Sequence, residues 1–443
     1  MGGKGIISPT PTKIKTMTWS RYNEFIQNQD CYSLFNCRTK KWVDLVPELY
    51  RVLVENKNHI SKLEKIHPSL YKVLVENKFL VPNTECEISE CISEIENKLS
   101  DSKVMKLTIN PTLDCNLRCW YCYEAHLKDS VMSRNTIKAT LSYIETTLKK
   151  QDYKCVLLSF FGGEPLLQFK NVVKPLLIGT KEICDCHNVE FAISITTNGI
   201  LLTQRIRDAI RQVTTDAGFQ ISFDGGKDEH DKTKKFPNGK GSFDIAKNNA
   251  REAVLEGFRV TVRCNYTKEN VRSFQYLVNE FEDLHSYPNL RFSFHKVWQE
   301  PENAELKMGM ADLKQAVAGK KFASNMNTYF GDSVNPCYGD FANNYVINYN
   351  GDVFKCTARD FCEENRLGKL MDDGEIVFNE RALERTRNRW THDCLTCRRL
   401  PICPICSQVK SESIDGKCPV HITPDVAAMN IREYFFDLQT TTV

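Results

Sequence analysis

Three cysteines stand close together in the run Cys115-Asn-Leu-Arg-Cys119-Trp-Tyr-Cys122, which has the spacing Cys-x3-Cys-x2-Cys. Thiolates at this spacing suit one compact metal centre. An ordinary [4Fe–4S] cluster is held by four cysteines. With only three cysteines, one iron of the cluster stays open to an outside ligand. A single zinc ion is the alternative, since it needs only a fourth Cys or His and His126 follows Cys122 closely.

Glycines and polar residues follow two later apolar segments. Segment 155–161 runs into Gly162-Gly163-Glu164-Pro165, and segment 189–196 leads into Thr196-Thr197-Asn198-Gly199. Glycines after a strand let the backbone approach a ligand closely, and a glutamate can accept hydrogen bonds from an ammonium group. Each motif taken alone is also a common turn.

A second group of cysteines lies in the C-terminal quarter. Cys337 is followed by Gly351-Asp-Val-Phe-Lys-Cys356, a Gly-x4-Cys element, and then by Cys362. The later run Cys394-x2-Cys397-x5-Cys403-x2-Cys406 precedes Cys418. Paired cysteines of this kind also occur in zinc ribbons, so zinc is an open alternative here as well.

Composition sets limits on the class of protein. The chain has 443 residues, 41% hydrophobic and 26% charged, and its net charge of +3 is too small to indicate nucleic-acid binding. No apolar run approaches the roughly 18 residues of a membrane-spanning helix, and 1–15 lacks the apolar core of a secretory signal. The 19 cysteines therefore indicate metal binding in a reducing cytoplasm more than disulfides. We expect 1–15 to be a disordered arm.

The elements that must position these residues are predicted from alternating strands and helices over 101–299. The helices should begin at Ser133, Thr203 and Ser242. Such an order predicts a parallel sheet with its active site at the carboxyl ends of the strands. The predicted strands, rich in Val, Ile and Phe, are 104–109, 155–161, 189–196, 219–223, 258–265 and 291–297.

A separate module is predicted over 16–100. Segments 17–26 and 31–37 read as two strands around a polar turn, and two helices follow. These helices nearly repeat one another, because Leu49-Tyr-Arg-Val-Leu-Val-Glu-Asn-Lys57 recurs as Leu70-Tyr-Lys-Val-Leu-Val-Glu-Asn-Lys78. They are either two amphipathic helices with similar faces or part of a small winged-helix module.

The combination of Cys-x3-Cys-x2-Cys with Gly-Gly-Glu-Pro after the next strand resembles the radical S-adenosylmethionine (SAM) enzymes. The resemblance implies an α/β fold with an open (β/α)6 partial barrel over 101–299. It also implies a [4Fe–4S] cluster on Cys115, Cys119 and Cys122, whose open iron holds the amino and carboxylate groups of SAM. One electron from the cluster then releases a 5′-deoxyadenosyl radical that abstracts hydrogen from a substrate.

The same resemblance implies the contacts of SAM with the protein. Gly162, Gly163, Glu164 and Pro165 would bind its amino group. Thr197 and Ser222 would lie near its ribose, and Tyr121 near its adenine. Arg263, at the end of a strand, would pair with its carboxylate in the bidentate manner that arginine favours.

Region 336–443 resembles the SPASM domain, which holds auxiliary clusters in peptide- and enzyme-maturing radical SAM proteins. The family pattern contains Cys-x2-Cys-x5-Cys-x3-Cys before a gap and a final cysteine. The last short spacing in this chain is two residues instead of three, which weakens the role of Cys406 alone. One auxiliary [4Fe–4S] cluster would use Cys394, Cys397, Cys403 and Cys418. The other would use Cys337, Cys356 and Cys406, with Cys362 either a fourth ligand or a free thiol.

The resemblance implies an enzyme that modifies a ribosomally made precursor peptide through a thioether or carbon–carbon crosslink. Module 16–100 would capture the leader of that peptide, 300–335 would be a bridge, and flavodoxin or ferredoxin would supply electrons. No nucleic-acid or membrane partner is expected.

Two other functions are alternatives to peptide crosslinking. Anaerobic sulfatase-maturating enzymes carry an aspartate that acts as a general base directly after the Gly-x4-Cys cysteine. This chain has Thr357 at that position, and Arg359 and Asp360 follow shortly after it. Those two polar residues are candidates for handling the substrate. An iron–sulfur regulatory protein without catalysis is the third possibility, and the intact motifs argue against it.

Overall fold

The structure is a computed structural model that describes residues 17–28, 31–82, 84–124, 126–301, 303–325, 336–387, 389–413, 417–420 and 422–441. The predicted arm 1–15 and part of the predicted bridge, 326–335, lie outside these residues. The strands are β1 (Thr18–Trp19), β2 (Asn23–Asn28), β3 (Cys31–Asn36), β4 (Lys41–Leu45), β5 (Leu80–Val81), β6 (Val104–Ile109), β7 (Cys155–Phe160), β8 (Glu190–Thr197), β9 (Ala217–Phe223), β10 (Arg259–Tyr266), β11 (Leu290–Lys296), β12 (Ala323–Ser324), β13 (Asn344–Ile347), β14 (Asp352–Phe354), β15 (Gly368–Leu370) and β16 (Ile376–Phe378). The helices are α1 (Pro47–Asn56), α2 (Ile60–Ile66), α3 (Pro68–Glu76), α4 (Thr84–Ser100), α5 (Arg134–Lys150), α6 (Lys174–His187), α7 (Gln204–Arg211), α8 (Lys227–Thr233), α9 (Phe243–Leu255), α10 (Phe274–Asn279), α11 (Ala304–Ala316), α12 (Glu380–Arg387), α13 (Ser407–Ser411) and α14 (Pro424–Thr441).

Contacts divide the chain into two units. One unit comprises 1–97, 391–403 and 415–443, and the other comprises 98–390 and 404–414. The C-terminal region, which the sequence predicts as one domain, thus contributes segments to both units. The division of the chain into functional domains stays a prediction.

The larger unit is built on one open sheet. Strands β6 to β11 lie in sequence order and are all parallel, with β12 beyond β11 and β13 beside β6. Antiparallel β14, β15 and β16 extend the β13 edge. The six predicted parallel strands are confirmed, and their bounds shift by only one or two residues.

The two faces of this sheet differ in polarity. In β10, Val260, Val262 and Cys264 are buried in the core beneath the helices, while Arg263 and Asn265 point to the opposite face and line a cavity. The other parallel strands follow the same alternation, because successive side chains of a strand point to opposite faces. A sheet of this kind buries its apolar face and leaves the inner face of the partial barrel polar.

The predicted helix starts agree with the structure in position. Ser133 caps α5, and its hydroxyl accepts a hydrogen bond from the Thr136 amide. Thr203 and Ser242 precede α7 and α9 without a capping side-chain bond. The Ser242 hydroxyl instead donates a hydrogen bond to the Lys234 carbonyl oxygen and is hydrogen-bonded to His230 Nε2, both in the segment that precedes α9.

The smaller unit contains an antiparallel sheet in the order β2-β3-β4 with three short helices after it. The sequence predicts two strands and two helices over 16–100, so β4, β5, α2 and α4 are additional. The predicted strand 17–26 is divided between β1 and β2. The repeated segments lie in α1 and α3, and Leu53 and Leu74, which occupy equivalent places in the repeat, are both fully buried in one core. Glu24 of β2 pairs with Arg398 and Arg432 of the C-terminal segments of this unit.

Within the residues that the structure describes, no helix combines the length and apolar character that a membrane span needs.

Candidate active site

The three cysteines of the first motif border one small cavity in the larger unit. Cys115, Cys119 and Cys122 line a space of about 150 Å³ at the carboxyl ends of the parallel strands, and His126 also lines it. We call this space the cluster cavity. In the described part of the chain, no three Cys, His, Asp or Glu side chains come close enough together to hold a single metal ion. Burial raises the pKa of Cys115 to about 12 and that of Cys122 to about 11.

The glycine pair brings two loops into direct contact. Gly162 has a positive φ of 104°, and a Cβ there would lie 2.4 Å from the Thr112 carbonyl oxygen. A Cβ on Gly163 would lie 2.1 Å from the Asp114 carbonyl oxygen, next to Cys115. Glycine is therefore required at both positions. Both residues line the cluster cavity, and their contact with the SAM amino group stays a prediction.

Glu164 ties the loops after β7 and β8 together. Its buried carboxylate accepts hydrogen bonds from the Thr197 hydroxyl at 2.8 Å and from the amides of Asn198 and Leu166 at 2.9 and 3.1 Å. Burial raises the pKa of Glu164 to about 6. Pro165 is buried and begins the short helix that follows. Neither Glu164 nor Pro165 lines the cluster cavity, so their contact with SAM stays a prediction.

Two predicted ribose contacts lie on the cluster cavity, together with a residue that sequence reasoning did not assign. Thr197 and Ser222 both line it. Asn198 lines it as well, and its amide donates to the Asn116 side chain at 2.7 Å and contacts the Cys115 sulfur at 3.8 Å. In the sequence, the dipeptide Asn198-Gly199 indicates a turn but does not indicate that the Asn198 side chain lies beside Cys115.

A buried charged network lies beside Cys119. Lys234 is 4% exposed, and its Nζ lies 3.6 Å from the Cys119 sulfur and 5.7 Å from the centre of the Tyr121 ring. The Tyr121 hydroxyl donates to the buried Asp224 at 2.7 Å and accepts from Asn265 at 3.1 Å. Burial lowers the pKa of Lys234, but the charges of Asp224 and Cys119 outweigh it and raise the pKa well above its ordinary value. This ammonium suits a site that gathers negatively charged thiolates.

Arg263 lies on a second, larger space that we call the barrel cavity. This space of about 540 Å³ is lined by the polar inner face of the parallel strands and by Tyr338 and Thr357 of the C-terminal region. Arg263 does not line the cluster cavity, so its predicted pairing with the SAM carboxylate stays a prediction. Tyr121, Tyr123 and Asn265 line both cavities, which therefore adjoin.

The cysteines predicted for the nearer auxiliary cluster all belong to the larger unit. The Cys337 thiol donates to Cys406, which raises the pKa of Cys337 and lowers that of Cys406 to about 6. Cys356 contacts the Tyr338 hydroxyl at 3.8 Å, and Cys362 accepts from the Asn365 amide at 3.4 Å.

The cysteines predicted for the other auxiliary cluster all belong to the smaller unit. Cys394 is buried and contacts the Thr391 hydroxyl at 3.3 Å. Burial raises the pKa of Cys397, and the charges of the nearby Cys403 and Cys394 thiols raise it further. Asp393, beside Cys394, accepts from the Cys418 amide at 2.7 Å. Each predicted set of cysteines thus lies within one unit, and the role of these cysteines as cluster ligands stays a prediction.

Comparisons with known proteins agree with this site. Residues 109–281 match the Radical SAM superfamily. The cysteine-type anaerobic sulfatase-maturating enzyme of Clostridium novyi is 28% identical over 163 residues, which are 36% of this chain and 42% of that protein. The chain spans less than half the length of this relative and of two others that it matches at 30% and 25% identity.

Two solved structures share the fold. A structure of anSMEcpe with bound AdoMet has a TM-score of 0.55 at 17% identity, covering 77% of this chain and 98% of the other. Streptococcus suis SuiB bound to S-adenosylmethionine has a TM-score of 0.50 at 17% identity, covering 87% and 94%. Residues 109–281 thus match a radical SAM domain, and the chain has the α/β radical SAM fold. Such a domain implies a [4Fe–4S] cluster and SAM, and the three thiols and the backbone glycines that line the cluster cavity are groups of the kind that a cluster and SAM need.

Proposed function

We propose that this chain uses SAM and a [4Fe–4S] cluster to modify a ribosomally made precursor peptide, by forming a thioether or a carbon–carbon crosslink. One observation carries the proposal: the cluster cavity, with Cys115, Cys119 and Cys122, opens beside a polar barrel cavity of about 540 Å³. A cavity of that size is within the range that holds a small ligand or a few side chains.

Residues around the two cavities would bind the cluster and SAM and would orient the substrate. When bound, the cluster and SAM supply an electron and a 5′-deoxyadenosyl radical. The three thiolates hold the cluster, and Gly162 and Gly163 let the backbone approach SAM closely. Tyr121, fixed by Asp224 and Asn265, forms part of the boundary between the cavities, and the substrate atom that loses hydrogen would lie on its far side.

Two auxiliary [4Fe–4S] clusters form the second part of the proposal. The contact between Cys337 and Cys406 supports one, and the proximity of Cys394, Cys397 and Cys403 supports the other. These clusters would bind substrate or carry away the electron left after hydrogen abstraction. Flavodoxin or ferredoxin in the cytoplasm would reduce the first cluster.

Capture of the leader by the smaller unit is the third part. Strand β4 is an edge of its sheet, and a groove of about 540 Å³ runs past Tyr32, Asp44 and Leu45 to Phe435 and Phe436 of α14. An extended leader could add a strand to this edge and place its apolar side chains in the groove.

Sulfatase maturation is the second candidate, favoured by the similarity to the Clostridium novyi enzyme. Thr357 lines the barrel cavity in the position where such an enzyme carries its base. Its hydroxyl bonds to Tyr338 at 2.7 Å and supplies no carboxylate. Arg359 is paired with Glu412 and Asp360 is exposed, so neither residue replaces that base within the barrel cavity.

The test uses enzyme reconstituted anaerobically with iron and sulfide, then given SAM, dithionite and a cysteine-containing precursor peptide with its leader. Formation of 5′-deoxyadenosine together with loss of two hydrogens from the peptide, dependent on the leader, is the expected result. Cys122→Ser should abolish both products, while the exposed Cys186→Ser should leave them unchanged. Conversion of a sulfatase-derived peptide to formylglycine would favour the second candidate.

A further inference from the structure

An exposed tryptophan directly follows one of the three cysteines of the cluster cavity. Trp120 is 61% exposed, whereas its neighbours Cys119 and Tyr121 are only partly exposed. Its ring meets the Tyr121 ring edge-on, with 5.5 Å between the ring centres and 86° between the planes. This contact orients the indole while most of its surface faces outward. Exposed aromatic side chains that are oriented in this way are typical anchors of protein–protein contacts.

A hairpin formed by residues 234–241 lies beside the same cysteine. It connects α8 to α9 and is closed by an antiparallel bridge between Lys235 and Gly241 and by a hydrogen bond from the Phe236 amide to the Lys240 carbonyl oxygen at 2.9 Å. The hairpin begins at Lys234, whose ammonium lies 3.6 Å from the Cys119 sulfur. Because Lys235 and Lys240 stand at the base of the hairpin, they lie close to the end that contacts this cysteine.

The positive charge of hairpin 234–241 is not neutralised within the described residues. The hairpin contains Lys234, Lys235 and Lys240 but no Asp or Glu, and the last two lysines are exposed. The two carboxylates that precede it most closely, those of Glu229 and Asp231, are paired with lysines of α8. The exposed ammonium groups of the hairpin are therefore available to an acidic partner.

The loop that carries the three cysteines is close to neutral in comparison. Arg118 pairs with Asp114 at 3.2 Å, and the exposed Lys128 is followed by the exposed Asp129. Glu124 is buried, and burial together with a neighbouring carboxylate raises its pKa to about 8. The net charge of the surface around Trp120 thus comes from the hairpin and is positive.

We propose that Trp120 and hairpin 234–241 form the docking surface for a flavodoxin-type electron carrier, an acidic protein whose flavin reduces the cluster. The inference rests on the proposed use of a [4Fe–4S] cluster and SAM, and it gives the electron donor a site on this chain. In the transfer, the anionic flavin hydroquinone loses one electron and becomes the neutral semiquinone. The oxidised cluster gains that electron, and no proton is transferred.

The surface combines the two properties that such a carrier needs. The lysines would attract an acidic protein and increase its association rate, an effect that salt weakens. The indole of Trp120 would pack against the flat, apolar edge of a flavin and bring the flavin next to Cys119. An acidic ferredoxin would also be attracted by the lysines, but it has no flavin ring to pack against Trp120. The indole therefore favours the flavin carrier.

The first measurement is binding, which needs no turnover. Oxidised bacterial flavodoxin is titrated anaerobically into the reconstituted enzyme with SAM, by calorimetry at about 0.01 M and about 0.15 M salt. Trp120→Ala should raise the dissociation constant about tenfold, as expected for an aromatic anchor, and Trp120→Phe should raise it less. Lys235→Glu/Lys240→Glu should raise it about tenfold at the lower salt concentration and reduce its dependence on salt.

The second measurement compares two reductants. With flavodoxin hydroquinone as the reductant, both Trp120→Ala and Lys235→Glu/Lys240→Glu should form 5′-deoxyadenosine about tenfold more slowly than the wild type. With dithionite, a small molecule that needs no docking surface, they should match the wild type. Lys149→Glu/Lys150→Glu is the matched control, because it reverses two exposed charges at the end of α5, next to the amino end of β7. It should match the wild type with both reductants.

Two results would overturn the proposal. One is flavodoxin binding that neither Trp120→Ala nor the double lysine variant weakens. The other is a bacterial ferredoxin that binds at least tenfold more tightly than flavodoxin and is unaffected by Trp120→Ala, because the carrier would then not be a flavoprotein. The dithionite reaction separates this inference from the proposed function. A wild type that forms no 5′-deoxyadenosine with dithionite contradicts the proposed function, whereas a dithionite-active wild type that does not bind flavodoxin contradicts the inference alone.

Discussion

A single buried lysine shows how much of this site depends on individual charges. Lys234 belongs to the strongly charged stretch 227–235, whose composition is typical of a solvent-exposed helix. The structure places its ammonium 3.6 Å from the Cys119 sulfur, while the adjacent Lys235 is exposed. A positive charge at that distance stabilises the more negative, reduced form of a cluster and so raises its reduction potential.

Lys234→Met should therefore lower the midpoint potential of the SAM-binding cluster. Loss of one charged hydrogen bond to sulfur corresponds to a shift of several tens of millivolts for a one-electron couple. An electrochemical titration followed by electron paramagnetic resonance measures the shift, and Lys235→Met is the matched control. An unchanged potential in a fully iron-loaded Lys234→Met protein would contradict the role given to this ammonium.

Gly163 is the second residue on which the cluster cavity depends. In Gly163→Ala the new Cβ would meet the Asp114 carbonyl oxygen at 2.1 Å, so the loop that carries Cys115 must move. We expect reduced iron incorporation and at least tenfold weaker SAM binding, measured by iron analysis and equilibrium dialysis. Gly218→Ala is the control, because its Cβ would meet nothing closer than 3.6 Å. Normal SAM binding by Gly163→Ala would show that the loop has freedom to adjust.

At the scale of elements, the site depends on loops that follow neighbouring strands. Glu164 after β7 holds Thr197 and Asn198 at the end of β8, so one carboxylate fixes two sides of the cluster cavity. A glutamine at this position would direct its NH2 group, a donor, toward the Thr197 hydroxyl or the Asn198 amide, which are donors as well. Such a mismatch costs about 1–3 kcal/mol when it is buried.

Glu164→Gln should accordingly weaken SAM binding by about tenfold and leave iron content near that of the wild type. The pKa of Glu164 is raised to about 6, so lowering the pH through 6 protonates the wild-type carboxyl and removes part of its accepting capacity. Wild-type affinity for SAM should fall over that range, and the variant should lose this dependence. Glu190→Gln, at the exposed start of β8, is the control. If Glu164→Gln and Glu190→Gln showed the same pH dependence of SAM affinity, that dependence would come from a group other than Glu164.

The sequence predicts the six parallel strands β6 to β11 well because their apolar runs are buried against helices, as Val260, Val262 and Cys264 show. It predicts the loops through short motifs such as Gly162-Gly163. It misses β4, β5 and β12 to β16, which are strands of only two to five residues, and it misses helices α2 and α4. It also misses Lys234 and Asn265, since only tertiary contacts distinguish a charged or polar residue that is buried from one that is exposed.

At the scale of the whole molecule, the cysteines of the C-terminal region are divided between two units. Cys337, Cys356 and Cys406 belong to the unit that contains the barrel, whereas Cys397 and the cysteines grouped with it belong to the unit that contains the N-terminal sheet. Each predicted auxiliary cluster would then be held within one unit. Because two clusters that share no ligand are held independently, loss of one cluster should leave the other in place.

Substitution of one cysteine from each set tests this independence. Cys356→Ser and Cys397→Ser should each lower iron by up to about four atoms per chain, and the double variant should lose the sum, because each cluster has its own thiolate ligands. Iron and sulfide analysis with Mössbauer spectroscopy of the reconstituted proteins measures the losses, and Cys186→Ser, exposed at the end of α6, is the control. If either single variant lost both auxiliary clusters, the two sets would share ligands or assemble in one step. The assignment of one cluster to each unit would then fail, even with 5′-deoxyadenosine formation intact.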